Sequence, residues 1–278
     1  MLQAIIFLLI IIIISITILL SPTLIKQKRK HIKNCQFPPL WNSIIENNVP
    51  IYHHLSPTER RRLQGHIQVF LAEKQFIGCN GLQVTEEMRV IIAAVACLLL
   101  LNERGKYFSK LRSILIYPTA YFTKETTISG KYVVEEKPVV RLGESWSKDL
   151  LILSWQQVKQ DTLNWKDGQN VVLHEFAHQL DQEEGKVEGV PILQKNSDYS
   201  NWSKVMTQEY NQLCNDVEQR RKTVMYSYGA TRPAEFFSVA TETFFEKPQQ
   251  LQKKHPALYQ LLQNYYQLDP VQWVITDN

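Results

Sequence analysis

The chain has 278 residues, 44% hydrophobic and 21% charged, with 10 Gly and 12 Pro, which excludes collagen-like, disulfide-scaffold and mainly disordered classes and suffices for one large domain or two small ones. Of the 31 Lys/Arg, five lie in the first 33 residues with no acid beside them, so the overall charge of +4 becomes about −1 for the remainder and no nucleic-acid-binding body is expected. Cys35, Cys79, Cys97 and Cys214 form no CxxC pair and read as reduced thiols of a cytosolic setting.

Residues 2–25 carry no charge, and between Ala4 and Leu20 only Ser15 and Thr17 interrupt the apolar run. About 20 residues at ~1.5 Å each cross a hydrocarbon core of roughly 30 Å, so residues 1–25 are expected to form one transmembrane helix. A cleavable signal peptide is the competing reading. It is disfavoured by the absence of Lys or Arg before the run, by the length of the run, and by Ser21-Pro22 where a small-residue cleavage site belongs. Residues 26–38 read as a basic juxtamembrane linker on the cytoplasmic side. The expected arrangement is a single-pass protein of the inner (cell) membrane, touching the membrane through residues 2–25, with residues 39–278 as the catalytic domain.

Ser56-Pro57-Thr58-Glu59 is a capping box with proline at the first helical position. Leu63, Ile67, Phe70 and Leu71 then recur at helical spacing and predict a helix over residues 57–74. Thr85, followed by Glu86 and Glu87, starts a second helix. Its residues 90–101 are almost wholly apolar but too few to cross a bilayer, so a buried core helix is expected. Val/Ile/Tyr-rich stretches at 113–117, 133–134, 139–142 and 150–155 predict a small mixed sheet. The class is α+β, predominantly helical.

The chemistry concentrates at His174-Glu175-Phe176-Ala177-His178. On a helix the two histidines, four residues apart, project from one face and can share a metal ion. Glu175 is turned aside, placed to serve as general base. One Zn²⁺ with an open fourth position needs a third protein ligand. Asp181, Glu183, Glu184 and Glu188 are near candidates; Glu235 and Glu242 are distant ones. Pro233 starts an aromatic and aliphatic helix on which Glu235 and Glu242 form one polar stripe two turns apart. A carboxylate buried among phenylalanines calls for a compensating cation. Zinc supplies one for Glu235, and Glu242 is then expected to orient a ligand imidazole, with Glu242 as ligand the alternative. Pairing of either glutamate with Arg220, Arg221 or Arg232 is the structural alternative. Asp181 shares the face of His174 and His178; it either holds His178 through a hydrogen bond or stands in solvent. An extended substrate is expected to add to residues 150–154 as an edge strand.

Residues 167–181 resemble the Mlc titration factor A family of zinc-dependent peptidases, as do Glu59-Arg60-Arg61-Arg62-Leu63, Gly81-Leu82, the helix at 90–101, Leu153-Ser154-Trp155, Pro233-Ala234-Glu235-Phe236-Phe237 and residues 259–270. Residues 228–237 are also similar to the catalytic domain of anthrax lethal factor. The resemblance implies a zincin-like metallopeptidase fold, Glu235 as third zinc ligand, and Tyr228 as oxyanion stabiliser or proton donor. It further implies an aminopeptidase-like activity on peptide or protein substrates. A second reading follows from the enteric family member, which binds the glucose repressor Mlc: a regulatory protein that sequesters a transcriptional repressor and so acts on sugar phosphotransferase expression, with the peptidase activity secondary.

Overall fold

Prolines and short polar caps decide where the helices begin. The computed structural model describes residues 6–7, 21–102, 106–119, 121–129, 133–141, 143–147, 149–184 and 188–273. Residues 21–33 are helical, followed by α1 (Pro39–Asn48), α2 (Pro57–Glu73), strand β1 (Gln75–Gly78) and α3 (Glu86–Leu98). The capping box of α2 forms: the Glu59 N–H donates to Ser56 Oγ at 3.3 Å and the Ser56 N–H to Glu59 Oε2 at 2.7 Å. Thr85 Oγ1 accepts from the Met88 N–H at 3.3 Å and so starts α3. Every residue of α3 from Val90 onward is buried, as its apolar circumference requires.

Then come β2 (Ser113–Tyr117), β3 (Tyr121–Ser129), β4 (Val133–Arg141), β5 (Gly143–Ser147) and β6 (Leu150–Ser154). One mixed sheet has the order β1-β2-β6-β5, its first two pairings parallel and the last antiparallel; β3 and β4 form a separate hairpin. The stretches expected at 133–134 and 139–142 fall, up to residue 141, in the single strand β4, whose intervening Glu135-Glu136-Lys137-Pro138 hides the β pattern; residue 142 lies outside the described residues. The strand expected at an edge, β6, lies between β2 and β5, so its backbone groups are engaged on both sides. The substrate-addition site expected at residues 150–154 is therefore corrected; β1 and β5 are the outer strands of this sheet.

The chain ends in α4 (Trp155–Leu163), α5 (Val171–Asp181), α6 (Asp198–Glu218), α7 (Pro233–Glu246), α8 (Pro248–Lys254) and α9 (Pro256–Tyr266). Two aromatic clusters fix α5 and α7. Phe176 of α5 packs against Phe108 and against Phe70 of α2, with ring centroids 4.8 and 5.6 Å away. Phe237 of α7 meets Trp202 of α6 at 5.7 Å and Tyr265 of α9 at 6.1 Å.

The expected transmembrane helix is overturned. Among the described residues no helix is long and apolar enough to cross a membrane; most of the expected span, residues 1–5 and 8–20, lies outside the described residues. The described helical stretch, residues 21–33, carries Lys26, Lys28, Arg29, Lys30 and Lys33. It docks on the body: Arg29 forks onto Glu73 at 2.7 and 2.8 Å, and its guanidinium lies 4.6 Å over the Tyr107 ring. The single-pass inner-membrane placement, the membrane contact and the membrane-anchored form of the peptidase reading fall with the anchor.

Candidate metal centre

Asn170 starts the helix that carries the histidines, its Oδ1 accepting the Leu173 N–H at 3.1 Å. Along α5, His174 and His178 sit one turn apart, with ring centroids separated by 4.9 Å. Helix α7 begins at Pro233, where the missing N–H costs no hydrogen bond. Glu235 falls in its first turn, where the helix dipole favours a carboxylate.

These two helices bring three donors together. Glu235 Oε2 lies 2.9 Å from His174 Nε2 and 3.1 Å from His178 Nε2, and the three side chains offer ligand atoms all within 4.8 Å of one another. At metal–ligand distances near ~2.0 Å, tetrahedral ligand pairs stand about 3.3 Å apart, so the spacing fits a divalent cation with only small adjustment. Glu235 is 2% exposed and His178 6%, so the Glu235 charge has no bulk water to solvate it.

Glu242, two turns further along α7, spans from ligand to backbone. Its Oε1 is 2.7 Å from His174 Nδ1, and its Oε2 accepts the Asn170 N–H at 2.6 Å. Burial alone disfavours a charged His174, but the carboxylates of Glu242 and Glu235 outweigh it and raise the imidazole pKa well above its ordinary value. His178 moves the other way: burial lowers it, Glu235 opposes, and the neighbouring His174 lowers it further. Burial would raise Glu235, yet the two imidazoles hold its carboxyl well below the usual carboxylate range.

Glu175 is buried beside the cluster, and its charge bears on both His174 and Arg232. Tyr228 stands on a turn of 3-10 helix, Ser227–Ala230, 42% exposed, with its ring centroid 6.0 Å from that of His174. Arg232 reaches Glu235 Oε1 through Nε at 2.8 Å and through Nη2. The ligand and ion-pair readings of Glu235 are thus compatible, one oxygen serving each. Arg221 pairs instead with Asp216 at 3.1 Å.

Asp181 corrects both of its expected roles. It is 1% exposed rather than in solvent, and its oxygens accept the Gly189 and Val190 N–H groups at 2.8 and 2.7 Å. Nδ1 of His178 is buried without a hydrogen-bond partner, so Asp181 does not hold that ring. Of the other near candidates, Glu183 accepts the Lys106 N–H at 3.1 Å.

Two further carboxyls went unread. Glu246 Oε2 accepts the Gly168 and Gln169 N–H groups at 3.0 and 3.1 Å, and its Oε1 accepts from Asn170 Nδ2 at 3.1 Å. Burial, opposed by Asn170 and reinforced by Glu242, Asp167 and Asp161, pushes its pKa up to about 10. Asp161 Oδ2 accepts the Val171 N–H at 2.8 Å, and burial pushes it up to about 7. Glu246 lies one turn beyond Glu242 on α7, a spacing that could have flagged it; Asp161 had no such signal.

Residues 24–267 match the family model described as glucose-regulated metallo-peptidase M90. The Synechocystis sp. protein slr2042 is 46% identical over 245 residues, covering 88% of this chain and 89% of its own. Mlc titration factor A of Klebsiella pneumoniae is 31% identical, covering 86% and 89%. The protein of the same name from Yersinia pestis is 30% identical, covering 83% and 85%. With the histidine pair, the distant glutamate and nearly the whole body matched together, the chain belongs to the glucose-regulated metallo-peptidase M90 family.

Proposed function

We propose that this chain is a regulatory protein built around a zinc-dependent peptidase centre: it binds and sequesters a transcriptional repressor, and it hydrolyses peptide bonds at His174, His178 and Glu235. The repressor-binding half is supported by relatives named Mlc titration factor A that align over more than four-fifths of this chain. The hydrolytic half is carried by one observation, a single Glu235 oxygen facing both imidazole nitrogens at 2.9 and 3.1 Å. A preference for substrate amino termini follows from the family resemblance.

Zinc, when bound, supplies a Lewis acid that polarises a carbonyl and acidifies water. The chain's own residues do the remainder. His174 and His178 present Nε2 to the ion, and Glu242 fixes the His174 ring by its 2.7 Å contact at Nδ1. Glu175 takes the proton of the attacking water and passes it to the leaving amine. Tyr228, exposed with its ring 6.0 Å from that of His174, donates its phenolic proton to the developing oxyanion.

The test is zinc content and hydrolysis across a peptide panel for the wild type and Glu175→Gln. One zinc per chain is expected in both, with the rate of the variant lower by about 10²–10⁴-fold. A zinc-loaded wild type that cleaves nothing ends the hydrolytic half. Repressor capture by the purified chain is expected to survive both Glu175→Gln and chelation, and no capture of any repressor ends the regulatory half.

A further inference from the structure

Glu235 divides its two oxygens between different partners. Oε2 faces the imidazoles, while Oε1 receives both Nε and Nη2 of Arg232. The guanidinium does not straddle the carboxylate, one N–H to each oxygen, as Arg29 does on Glu73. Both donors converge on the oxygen that is turned away from the histidines. Arg232 is the extended residue just before α7, with φ −164° and ψ 158°, so the helix start delivers its side chain back over the first turn, three residues from Glu235. The backbone therefore sets this pairing.

On these grounds, and resting on the metal-centre reading above, we propose that Arg232 is a positioning residue that keeps Glu235 a one-oxygen ligand. A buried carboxylate with a bare second oxygen gains by turning that oxygen toward the cation too, which fills the position that the attacking water needs. Two N–H donors on Oε1 remove that gain, because charge-assisted hydrogen bonds already satisfy it. Lysine would supply charge without the planar fork. The Arg232 side chain is 63% exposed while Glu235 is 2% exposed, so its removal opens no core cavity and its effect concentrates on the ligand.

The experiment compares wild type, Arg232→Lys and Arg232→Met in the full chain, loaded with Zn²⁺ or Co²⁺. Zinc affinity is measured by chelator competition, coordination number by the visible spectrum of the Co²⁺ form, and kcat and KM on one peptide. Both variants are expected to keep one metal per chain and to bind it more tightly than wild type, because the freed Oε1 joins the ligand set. Their Co²⁺ absorption should weaken as the coordination number rises, and kcat should fall with KM little changed. Spectra and affinities equal to wild type overturn the assignment, as does full recovery by Arg232→Lys, since charge alone would then suffice. A lowered Tm in variants whose spectra are unchanged marks a merely structural residue and overturns it as well. Failure of the underlying metal reading is distinct: the wild type itself would take up no stoichiometric metal, or His174→Ala would retain it.

Discussion

Gly189→Ala should be costly out of proportion to its size, and Gly81→Ala supplies the control. Both glycines have left-handed backbones, φ +75° and +78°. A Cβ on Gly81 meets nothing within 4 Å, whereas a Cβ on Gly189 falls 2.5 Å from Pro233 O and 3.0 Å from Pro233 C. Those are backbone atoms, so no side chain can swing aside. The left-handed conformation costs alanine about 1–2 kcal/mol, offset by about 0.4–1 kcal/mol from a stiffer unfolded chain. Gly81→Ala should therefore cost about 1 kcal/mol. Gly189→Ala adds overpacking of about 1–3 kcal/mol, for about 2–4 kcal/mol in all. At about 2–4 °C per kcal/mol for a chain of this size, the metal-free Tm should fall by about 4–16 °C, against about 2–4 °C for the control. Pro233 precedes Glu235 by two residues, and the Gly189 N–H is held by Asp181 at the end of α5. Only the first variant should thus also weaken zinc binding, read by chelator competition. Equal Tm losses, or unchanged zinc affinity in Gly189→Ala, would refute the idea that this turn sets the spacing of the two metal-bearing helices.

Glu242→Gln loses the charge that faces His174 Nδ1 and should weaken zinc binding by about 10–100-fold, measured by the same competition; an unchanged affinity would mean that the contact does not orient the ring. Lys74 is 7% exposed, its ammonium donating to the Phe108 and Leu111 carbonyls at 2.7 Å each, and burial lowers its pKa from 10.5 to about 8. Between those values the unfolded chain binds more protons than the folded one, so stability rises with pH, and the cost of the buried charge is fully present below pH 8. Urea unfolding of wild type relative to Lys74→Met should show a gain of about 2 kcal/mol from about pH 7.5 to 9.5; parallel profiles would contradict it.

What the sequence disclosed depended on whether the deciding interaction was local. Ser56 and Thr85 act within three residues of themselves, and their helices start where expected. The histidine pair is likewise a one-turn property. Glu235 stood out because a carboxylate on a helix of phenylalanines needs a partner, although the pattern could not say that histidine and arginine would share it. Helix α6 buries Trp202, Met206, Glu209 and Leu213 at helical spacing, but its Ser, Asn, Asp and Gln content masks that stripe. Strands β1 and β5 are short, with Gly78 ending one and Gly143 opening the other, so no alternation develops. Asp181, expected to hold His178 or to stand in solvent, has a partner that is neither. That partner is the backbone of Gly189 and Val190, brought back by a left-handed turn that no local pattern announces. The apolar run of residues 2–25 misled because length and lack of charge were its only signals, while the described helical stretch that overlaps its end, residues 21–33, is basic and docked.

The carboxyls around the start of α5 explain how so acidic a neighbourhood is compatible with folding. A helix leaves its first N–H groups without partners inside the helix. Here Asp161 takes that of Val171 and the Asn170 side chain that of Leu173, while Glu242 takes the N–H of the capping Asn170 and Glu246 those of Gly168 and Gln169 just before the helix. Each acid thereby satisfies backbone donors at the positive end of the helix dipole, which offsets part of its own desolvation. Glu242 does this with one oxygen and holds His174 with the other, so helix position and ring orientation are set by the same carboxylate. Nearer the histidines the balance differs: Glu235, Glu242 and Glu175 bear on His174, and Arg232 bears on Glu235. That surplus of negative charge is what raises the affinity of His174 for a proton. A divalent cation answers the same surplus more fully, because it meets both imidazoles and Glu235 at once, and its binding must release whatever proton the imidazoles hold.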